Sequence, residues 1–345
     1  MAERSQENSG KDYPRTLQII FILRSGMQRL HMKYIDRDGN MTEEKNGQDR
    51  LLEWLYTHRS GRLLIGLLVR PGISKAGGWL LDRRWSTCLI APFVKKSGID
   101  LSSYVDKKYK SYNDFFTREI KPGFRPLEGG EGALISPCDG KLSVYPITEK
   151  VGEESRFCIK NTEYTVKSLL RSSSLAKRYV GGWACVFRLT VDDYHRYCYV
   201  DDGEKSENYR INGIFHTVNP AAGDVYPIYK ENTREYSLLK SRHFKTVLMM
   251  EVGALMVGRI TNYHEACQVK RGEAKGRFEF GGSTVVLLFQ KDAVELEERL
   301  VRNTQAGCET IIKMGERIGR EVAPRNERQE VSEKEGRGAG NGIRQ

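Results

Sequence analysis

Hydrophobic and polar positions divide the chain into two parts with different periods. Between residues 49 and 96, leucines recur largely at i, i+3 and i+4 spacings, which is typical of amphipathic helices. Asp49 can cap the first helix, and Pro71 followed by Gly72 marks a break between helices. From Ala133 onwards the apolar segments are short and separated by Gly, Asn and Asp turns, which predicts strands. We therefore expect an α+β protein, with an amphipathic helical N-terminal region before a β-rich core.

The predicted strands share short apolar runs between turn residues, and they are Leu134–Ile135, Lys141–Ile147, Arg156–Ile159, Ala184–Thr190, Ile214–Val218, Thr246–Val252, Leu255–Ile260 and Thr284–Phe289. Val166–Tyr179 is the one clear helix predicted among them. The ends of the chain are polar and without periodicity, so we predict them to be disordered. The predicted organisation is a disordered segment 1–15, a helical region 16–110, a β-rich domain 111–323 and a disordered tail 324–345.

The charge balance favours an anionic partner. Lys and Arg number 56 against 45 Asp and Glu, which gives a formal net charge of +11. Such an excess suits a nucleic acid or an anionic membrane surface. The sequence has no zinc-ligand spacing, no RNA-binding aromatic motif and no helix-turn-helix signal. We therefore expect a membrane surface as partner, no nucleic acid and no metal; an RNA-binding module is an alternative that rests on charge alone.

The helical region has the composition of a helix that lies on a membrane. Residues 51–100 contain eight basic and three acidic side chains, and Trp54, Trp79 and Trp85 lie among them. Aliphatic and Trp residues on one side, with Arg and Lys on the other, suit the headgroup region of a bilayer. The alternative is a helical pair packed on the β-rich part with a solvated basic face. Every apolar run is far shorter than the roughly 20 residues that span a bilayer, so we expect peripheral attachment.

The cysteines and the N-terminus favour a reducing compartment. The seven cysteines form no C-x-x-C pair, and no signal-peptide pattern opens the sequence. Together with the basic helical region, this predicts a location at the cytoplasmic face of the cell membrane.

The stretch from Gly276 to Phe289 contains a Gly-Gly-Ser-Thr turn that leads directly into an apolar strand. Such a turn can hold the Ser283 hydroxyl against the carbonyl carbon of Gly282, which has no side chain to shield it. Attack would convert the peptide bond into an ester, and β-elimination would then split the chain and turn Ser283 into a pyruvoyl group. A Gly-Gly-Ser turn before a strand is also a common plain turn, so the rest of the chain decides between the two interpretations.

Four other stretches occur with this turn in one order, namely 113–127 (Asn-Asp-Phe-Phe-Thr-Arg-Glu-Ile-Lys-Pro-Gly-Phe-Arg-Pro-Leu), 136–140 (Ser-Pro-Cys-Asp-Gly), 193–197 (Asp-Tyr-His-Arg-Tyr) and 251–260 (Glu-Val-Gly-Ala-Leu-Met-Val-Gly-Arg-Ile). Together, from about Tyr112 to Phe289, they resemble the phosphatidylserine decarboxylases. Each stretch alone is a weak signal, but five in order are a strong one.

The resemblance implies a proenzyme that cuts itself between Gly282 and Ser283. The products would be a chain of residues 1–282 and a chain of residues 283–345, which we expect to stay associated. The implied cofactor is the pyruvoyl group made from Ser283, which does the work that pyridoxal phosphate does elsewhere. The implied reaction converts phosphatidylserine, an anionic phospholipid, into phosphatidylethanolamine and carbon dioxide.

Ser283 needs a base to take its proton, and the resemblance points to Asp139 and His195 as its partners. In the expected relay, His195 accepts the proton while the Asp139 carboxylate fixes the imidazole tautomer.

Many relatives carry a second His three residues after the first, where this chain has Cys198. Three groups remain as the base for self-cleavage: His195 itself, Cys198 as a thiolate, or His216 from a neighbouring strand. If His216 compensates for Cys198, the substitution His216→Ala blocks maturation.

Other polar residues near these motifs are candidates for binding the substrate or for stabilising charge. Arg196 and Arg188 are candidates for holding the phosphodiester, with ordinary strand-surface charge as the alternative. Thr284 is a candidate donor to the oxyanion that forms during self-cleavage, or simply a β-branched residue that starts a strand.

Two other functions stay open. A pyruvoyl decarboxylase for a soluble amino acid would share the chemistry but would need no basic, Trp-bearing helices. An uncleaved relative that binds anionic lipid without catalysis would explain Cys198, but it would have no physical need for Gly282, Ser283, Asp139 and His195 together.

Overall fold

The computed structural model describes residues 32–44, 58, 60–61, 71–148, 156–159, 162–214, 216, 228–254, 259–279 and 283–323. The ends predicted to be disordered, the cap residue Asp49 and the cleavage-site residue Gly282 lie outside these residues.

The described chain contains seven short α-helices, which are α1 (Pro71–Leu81), α2 (Ile90–Ser97), α3 (Tyr112–Phe116), α4 (Val166–Leu170), α5 (Ser173–Ala176), α6 (Ile228–Glu231) and α7 (Glu298–Gln305). Short 3-10 helices occur at Arg84–Leu89, Leu101–Ser103 and Lys177–Tyr179. Within the predicted helical region 16–110, the segment from α1 to α2 is largely helical. No described helix is long and apolar enough to cross a membrane.

The strands are β1 (Met32–Ile35), β2 (Met41–Glu44), β3 (Ala133–Ile135), β4 (Gly140–Pro146), β5 (Arg156–Ile159), β6 (Thr162–Thr165), β7 (Trp183–Leu189), β8 (Arg196–Cys198), β9 (Gly203–Lys205), β10 (Tyr209–Ile211), β11 (Arg234–Ser241), β12 (Thr246–Val252), β13 (Ile260–Asn262), β14 (Cys267–Val269), β15 (Ala274–Phe278), β16 (Ser283–Phe289), β17 (Glu295–Leu296), β18 (Glu309–Ile312) and β19 (Arg317–Arg320). With few helices and many strands, the fold is α+β, as predicted.

Most of the strands form one large sheet in the order β14-β9-β11-β12-β16-β7-β4-β18-β1-β2, and β10 pairs with β11. Adjacent strands of this large sheet are antiparallel, except that β1 and β18 are parallel to each other. Three smaller sheets have the orders β13-β15-β8, β17-β19-β3 and β5-β6.

Strand β16 lies in the middle of the large sheet, between β12 and β7, and all seven of its residues are buried. Val285 and Leu287 belong to one hydrophobic core, whereas Val286 and Leu288 belong to the core on the opposite face. Because successive side chains of a strand point to opposite faces, a strand buried on both faces must be a continuous apolar run. The strand predicted at Thr284–Phe289 is therefore confirmed, and it begins one residue earlier, at Ser283.

The helix predicted at Val166–Tyr179 is wrong as a single element, because the segment breaks into α4, α5 and a 3-10 turn. Arg171 ends α4 in a left-handed conformation with φ 51°. Ser172 then caps a new helix, because its hydroxyl accepts a hydrogen bond from the Leu175 amide. A serine side chain that competes for backbone hydrogen bonds favours such a restart over a continued helix.

The region 16–110 is not helical throughout, because the hairpin of β1 and β2 lies within it. The Asp36 carboxylate accepts hydrogen bonds from the amides of Asp38 and Asn40 and so holds the turn between the strands. Strand β1 also pairs with β18, so this hairpin extends the large sheet. Two strands of only four residues each are too short to show a recognisable periodicity in the sequence.

Candidate active site

Three of the residues predicted from the sequence to be catalytic, Asp139, His195 and Ser283, lie at one end of the central strands. Strand β7 ends at Leu189, directly opposite Ser283 at the start of β16. On the other side of β7, strand β4 begins at Gly140, where an added Cβ would lie 2.9 Å from the Arg188 carbonyl oxygen. Asp139 precedes β4 and His195 follows β7, so the sheet brings both to the end at which β16 begins.

The Ser283 hydroxyl is buried, and its Oγ has no hydrogen-bond partner among the described residues. Strand alternation places it on the same face as Val285, toward the core that also contains Phe278. A buried hydroxyl without a partner is costly in a finished fold, so such a group requires an explanation. A hydroxyl held ready for reaction is such an explanation.

His195 is completely buried, and its Nδ1 lies 2.9 Å from the carbonyl oxygen of Asp193. Because a carbonyl only accepts, Nδ1 carries the hydrogen and Nε2 has a free lone pair. Nε2 has no partner in the described part of the chain. Burial lowers the pKa of His195 to about 4, so the imidazole is neutral near neutral pH and Nε2 is a proton acceptor.

The turn that carries the Asp193 carbonyl is itself held by the Asp193 side chain. Its carboxylate accepts hydrogen bonds from Lys141 Nζ at 2.7 Å and from the Thr190 amide at 2.7 Å. Burial opposes ionisation of Asp193, but Lys141 and the Thr190 amide outweigh it and lower the pKa to about 2. Asp193 and Lys141 therefore form a fixed ion pair, which positions the carbonyl that selects the tautomer of His195.

Asp139 does not contact His195 as the relay required. Its carboxylate is held by Arg125 through Nε at 2.9 Å and Nη2 at 2.6 Å. It also accepts a hydrogen bond from the Met314 amide at 2.8 Å. The predicted Asp139–His195 contact is therefore wrong for the uncut chain, and the Asp193 carbonyl takes the place of the carboxylate. A catalytic role of Asp139 itself stays a prediction.

The two other candidate bases have different surroundings. Burial raises the pKa of the Cys198 thiol to about 12, so the thiolate that a base would require does not form near neutral pH.

The backbone of His216 is hydrogen-bonded to the Asn232 side chain, which also donates to the carbonyl of Gly253, just past the end of β12. Nε2 of His216 lies 3.6 Å from the Glu231 carboxylate, and burial lowers the pKa of the imidazole. His216 thus lies two strands away from β16 at the same end of the sheet.

The two arginines proposed for the phosphodiester are already engaged. Arg188 is buried and paired with Glu309, with its Nε 3.2 Å from both carboxylate oxygens, so its charge is neutralised within the fold. Arg196 donates to the Thr117 carbonyl and pairs with Glu119 at 2.7 Å. The structure therefore does not support Arg188 as a phosphate ligand.

Thr284 was the candidate oxyanion donor. Strand alternation directs its side chain to the face opposite that of Ser283, and its Oγ1 is buried without a partner among the described residues. Because this side chain faces away from the Ser283 hydroxyl, we expect Thr284 to take no part in self-cleavage, and this stays a prediction.

Three positioning residues were not identified in the sequence: Arg125, Asp193 and Lys141. Arg125 and Asp193 lie inside the motif stretches, and an Arg before Pro or an Asp before Tyr-His could have been nominated there. Lys141 lies two positions after Asp139, but its partner Asp193 is 52 positions away, and the pairing of β4 with β7 brings the two together. In the described residues, no group of three or more His, Cys, Asp or Glu side chains could hold a metal ion.

Comparison with known proteins identifies related sequences. Residues 112–320 match the family model described as phosphatidylserine decarboxylase. The chain is 45% identical over 276 residues to phosphatidylserine decarboxylase proenzyme 2 of Clostridium acetobutylicum, covering 80% of this chain and 92% of that relative. It is 37% identical to the phosphatidylserine decarboxylase proenzymes of Clostridium novyi, over 80% of this chain and 94% of the relative, and of Fusobacterium nucleatum, over 84% and 98%.

Proposed function

The chain belongs to the phosphatidylserine decarboxylase family, and from that premise we propose that it cuts itself between Gly282 and Ser283 and then decarboxylates phosphatidylserine. The product is phosphatidylethanolamine. The observation that carries this proposal is a buried, unpartnered Ser283 hydroxyl at the end of the sheet where a neutral His195 has a free Nε2. These are the two groups that an intramolecular acyl shift requires, a nucleophile and a proton acceptor.

In the proposed self-cleavage, Ser283 Oγ gives its proton to Nε2 of His195 and attacks the carbonyl carbon of Gly282. The amide nitrogen of Ser283 leaves that carbon and takes up a proton, so an ester replaces the peptide bond. Loss of the Cα proton of Ser283 then breaks its Cβ–Oγ bond and frees residues 1–282 with a carboxylate end. Addition of water and loss of ammonia at residue 283 leave the pyruvoyl group.

The residues present fit this group, because the position it would occupy holds a small buried side chain with no hydrogen bond to break. The pyruvoyl ketone supplies an electron sink for the substrate that is bound through its amine. His195 would serve the same reaction by moving a proton at Nε2, since its Nδ1 is committed to the Asp193 carbonyl. Phe116, whose ring centroid lies 4.1 Å from that of His195, excludes water from one side of the imidazole.

We expect carboxyl-labelled phosphatidylserine in vesicles to release labelled carbon dioxide, with one phosphatidylethanolamine formed for each molecule released. Free labelled serine should release none, because only the lipid brings the acyl chains and phosphodiester that the proposed surface and site bind. Release is measured by trapping the gas and separating the lipids by chromatography. Carbon dioxide from serine but not from vesicles would instead support the alternative of a decarboxylase for a soluble amino acid.

The described helical part has an exposed apolar surface, which we define as Trp79, Leu80, Trp85 and Leu89. These side chains are 57%, 44%, 56% and 42% exposed, respectively. The guanidinium of Arg83 lies 3.9 Å from the Trp79 ring centre, and Arg84, Lys95 and Lys96 add further positive charge nearby in sequence. Large exposed side chains next to basic ones favour contact with anionic headgroups. We therefore propose that this surface attaches the protein peripherally to the cytoplasmic face of the cell membrane.

The double substitution Trp79→Ala and Trp85→Ala should weaken binding to vesicles that contain anionic lipid by about tenfold to a hundredfold. Burying one large apolar side chain contributes about 1.5–3 kcal/mol, and each Trp is here only partly transferred. Sedimentation with vesicles measures the bound fraction. Tyr209→Ala is the matched control, because Tyr209 is a 46% exposed aromatic residue in the β-rich part. Equal binding of the double variant and the unaltered protein would contradict the proposed attachment.

A further inference from the structure

Arg118 is a buried arginine with unused donors. Its side chain is 1% exposed, and only Nη2 has partners, the Tyr104 hydroxyl at 3.4 Å and the Asp192 carbonyl at 3.2 Å. Nε and Nη1 are buried and have no hydrogen-bond partner among the described residues. The guanidinium carbon lies 4.5 Å from the ring centre of Tyr104 and 5.0 Å from that of Phe115.

Such a side chain needs acceptors for its unused donors, because a buried cation is costly unless it is paired or fully hydrogen-bonded. Two other buried arginines are satisfied, since Arg188 pairs with Glu309, and Arg234 donates to the carbonyl oxygens of 168, 169, 230 and 232. No carboxylate of the described residues forms an ion pair with Arg118. An anion from outside the fold would complete its coordination.

Arg118 lies beside the segment that carries His195. Phe116, two positions earlier, contacts the His195 ring, and Asp192, whose carbonyl accepts from Arg118, is three positions before His195. The charge of Arg118 is also close enough to contribute to the lowered pKa of His195, after burial. An anion bound at Arg118 would therefore lie next to the proposed proton-transfer group.

We propose that Arg118 binds the phosphodiester of the substrate headgroup, an inference that rests on the proposed function. In phosphatidylserine only Cβ and one oxygen separate the reacting carbon from phosphorus, so the phosphate must bind close to the reacting groups. The serine carboxylate is the less suitable partner, because it loses its charge as carbon dioxide leaves. An arginine paired with it would stabilise the ground state more than the transition state and would slow the reaction. The phosphodiester keeps its charge throughout, so pairing with it anchors the headgroup without that penalty.

Two soluble probes separate these possibilities. Glycerophosphoethanolamine has the phosphodiester and no carboxylate, whereas serine has the carboxylate and no phosphate. We expect Arg118→Gln to weaken the binding of glycerophosphoethanolamine by about tenfold to a hundredfold and to leave the binding of serine unchanged, as measured by calorimetric titration. Arg234→Lys is the matched control, because it alters a buried arginine whose partners are all backbone carbonyls, and it should change neither affinity.

Two results would overturn the proposal. Weaker binding of serine with unchanged binding of glycerophosphoethanolamine would mean that Arg118 holds the carboxylate. Unchanged binding of both would mean that Arg118 is a structural residue. The titrations are made on the full chain in whichever state it purifies, cut or uncut, so they report on Arg118 even if the protein fails to release carbon dioxide.

If Arg118→Gln does not fold, the unaltered protein still provides a test. Glycerophosphoethanolamine should shift the nuclear magnetic resonance signal of the Arg118 Nε–H group, identified by its loss in Arg118→Lys, which keeps the buried positive charge. Serine should not shift it. A signal that stays unchanged at saturating glycerophosphoethanolamine would contradict binding at this side chain.

Discussion

Replacing Ser283 with alanine should leave one intact chain, whereas the unaltered protein should separate under denaturing conditions into residues 1–282 and 283–345. Alanine has no oxygen to attack the Gly282 carbonyl, so the expected loss of cleavage is complete. Denaturing mass spectrometry measures both masses, and the shorter piece should begin with a pyruvoyl group in place of serine. Decarboxylation should disappear together with cleavage, because the group that drives it is never made.

Thr284→Val is the control for this experiment. It changes the neighbouring residue, whose side chain lies on the opposite face of β16, and it should be cut like the unaltered chain. A single intact mass for the unaltered protein would contradict the proposal and would favour the non-catalytic lipid-binding alternative. Loss of cleavage in Thr284→Val would mean that both faces of the strand serve the reaction.

His195→Gln should slow self-cleavage by about a hundredfold to ten-thousandfold, the usual contribution of a positioned general base. Glutamine retains a side-chain amide of similar reach but cannot accept and return a proton at the Nε2 position. The rate is followed by gel electrophoresis of newly synthesised chain. Cys198→Ala should be cut normally, because its thiol remains protonated. His216→Ala is the deciding companion: a block there, with normal cleavage in His195→Gln, would assign the base to His216.

The rate of self-cleavage should depend on pH in a way that reflects the buried state of His195. The proton acceptor is the neutral imidazole, so the rate should be constant near neutral pH and fall only as pH approaches about 4. Burial has the largest effect on this pKa; the charges of Asp193 and Asp192 oppose it, and that of Arg118 adds to it. If the base were an imidazole with its ordinary pKa, the cleavage rate would already fall as pH decreases through about 6.5. A fall in rate centred near 6.5 would contradict the assignment of His195.

Stability must be followed in the same buffers. The unfolded imidazole protonates near its ordinary pKa, whereas the folded one does so only near 4, so the unfolded state binds more protons between these values. His195 therefore lowers the free energy of unfolding as pH decreases from about 6.5 to about 4. Circular dichroism gives the folded fraction by which each cleavage rate is corrected.

The central strand could be predicted from the sequence, whereas the edge of the sheet could not. A short, continuous apolar segment such as Thr284–Phe289 is typical of a strand that is covered on both faces, so its composition is enough to predict a central strand. The strands β1 and β2 have only four residues each, and β1 is fixed by pairing with β18, which lies far away in sequence. Pairing of that kind leaves no local periodicity.

In the site, the sequence predicts which residues lie together but not which groups they hydrogen-bond to. The motifs predicted which residues gather at the end of β16, and the register of β4, β7 and β16 places Asp139, His195 and Ser283 there. They did not predict that Arg125 holds Asp139 or that a backbone carbonyl holds His195, because hydrogen-bond partners depend on how the turns 136–140 and 190–195 fold. Arg188 was misassigned for the same reason, since its partner Glu309 is 121 positions away.

The position of β16 and β18 has a consequence for how the protein can recover from unfolding. Both strands come from residues 283–345, and between them in the sheet lie β7 and β4 from residues 1–282. In the uncut chain, refolding is a unimolecular process. After the cut, the short piece must find its partner by diffusion and insert strands at two separate places, so recovery becomes dependent on concentration. Self-cleavage would thus turn a reversible fold into an assembly that is maintained mainly by slow unfolding.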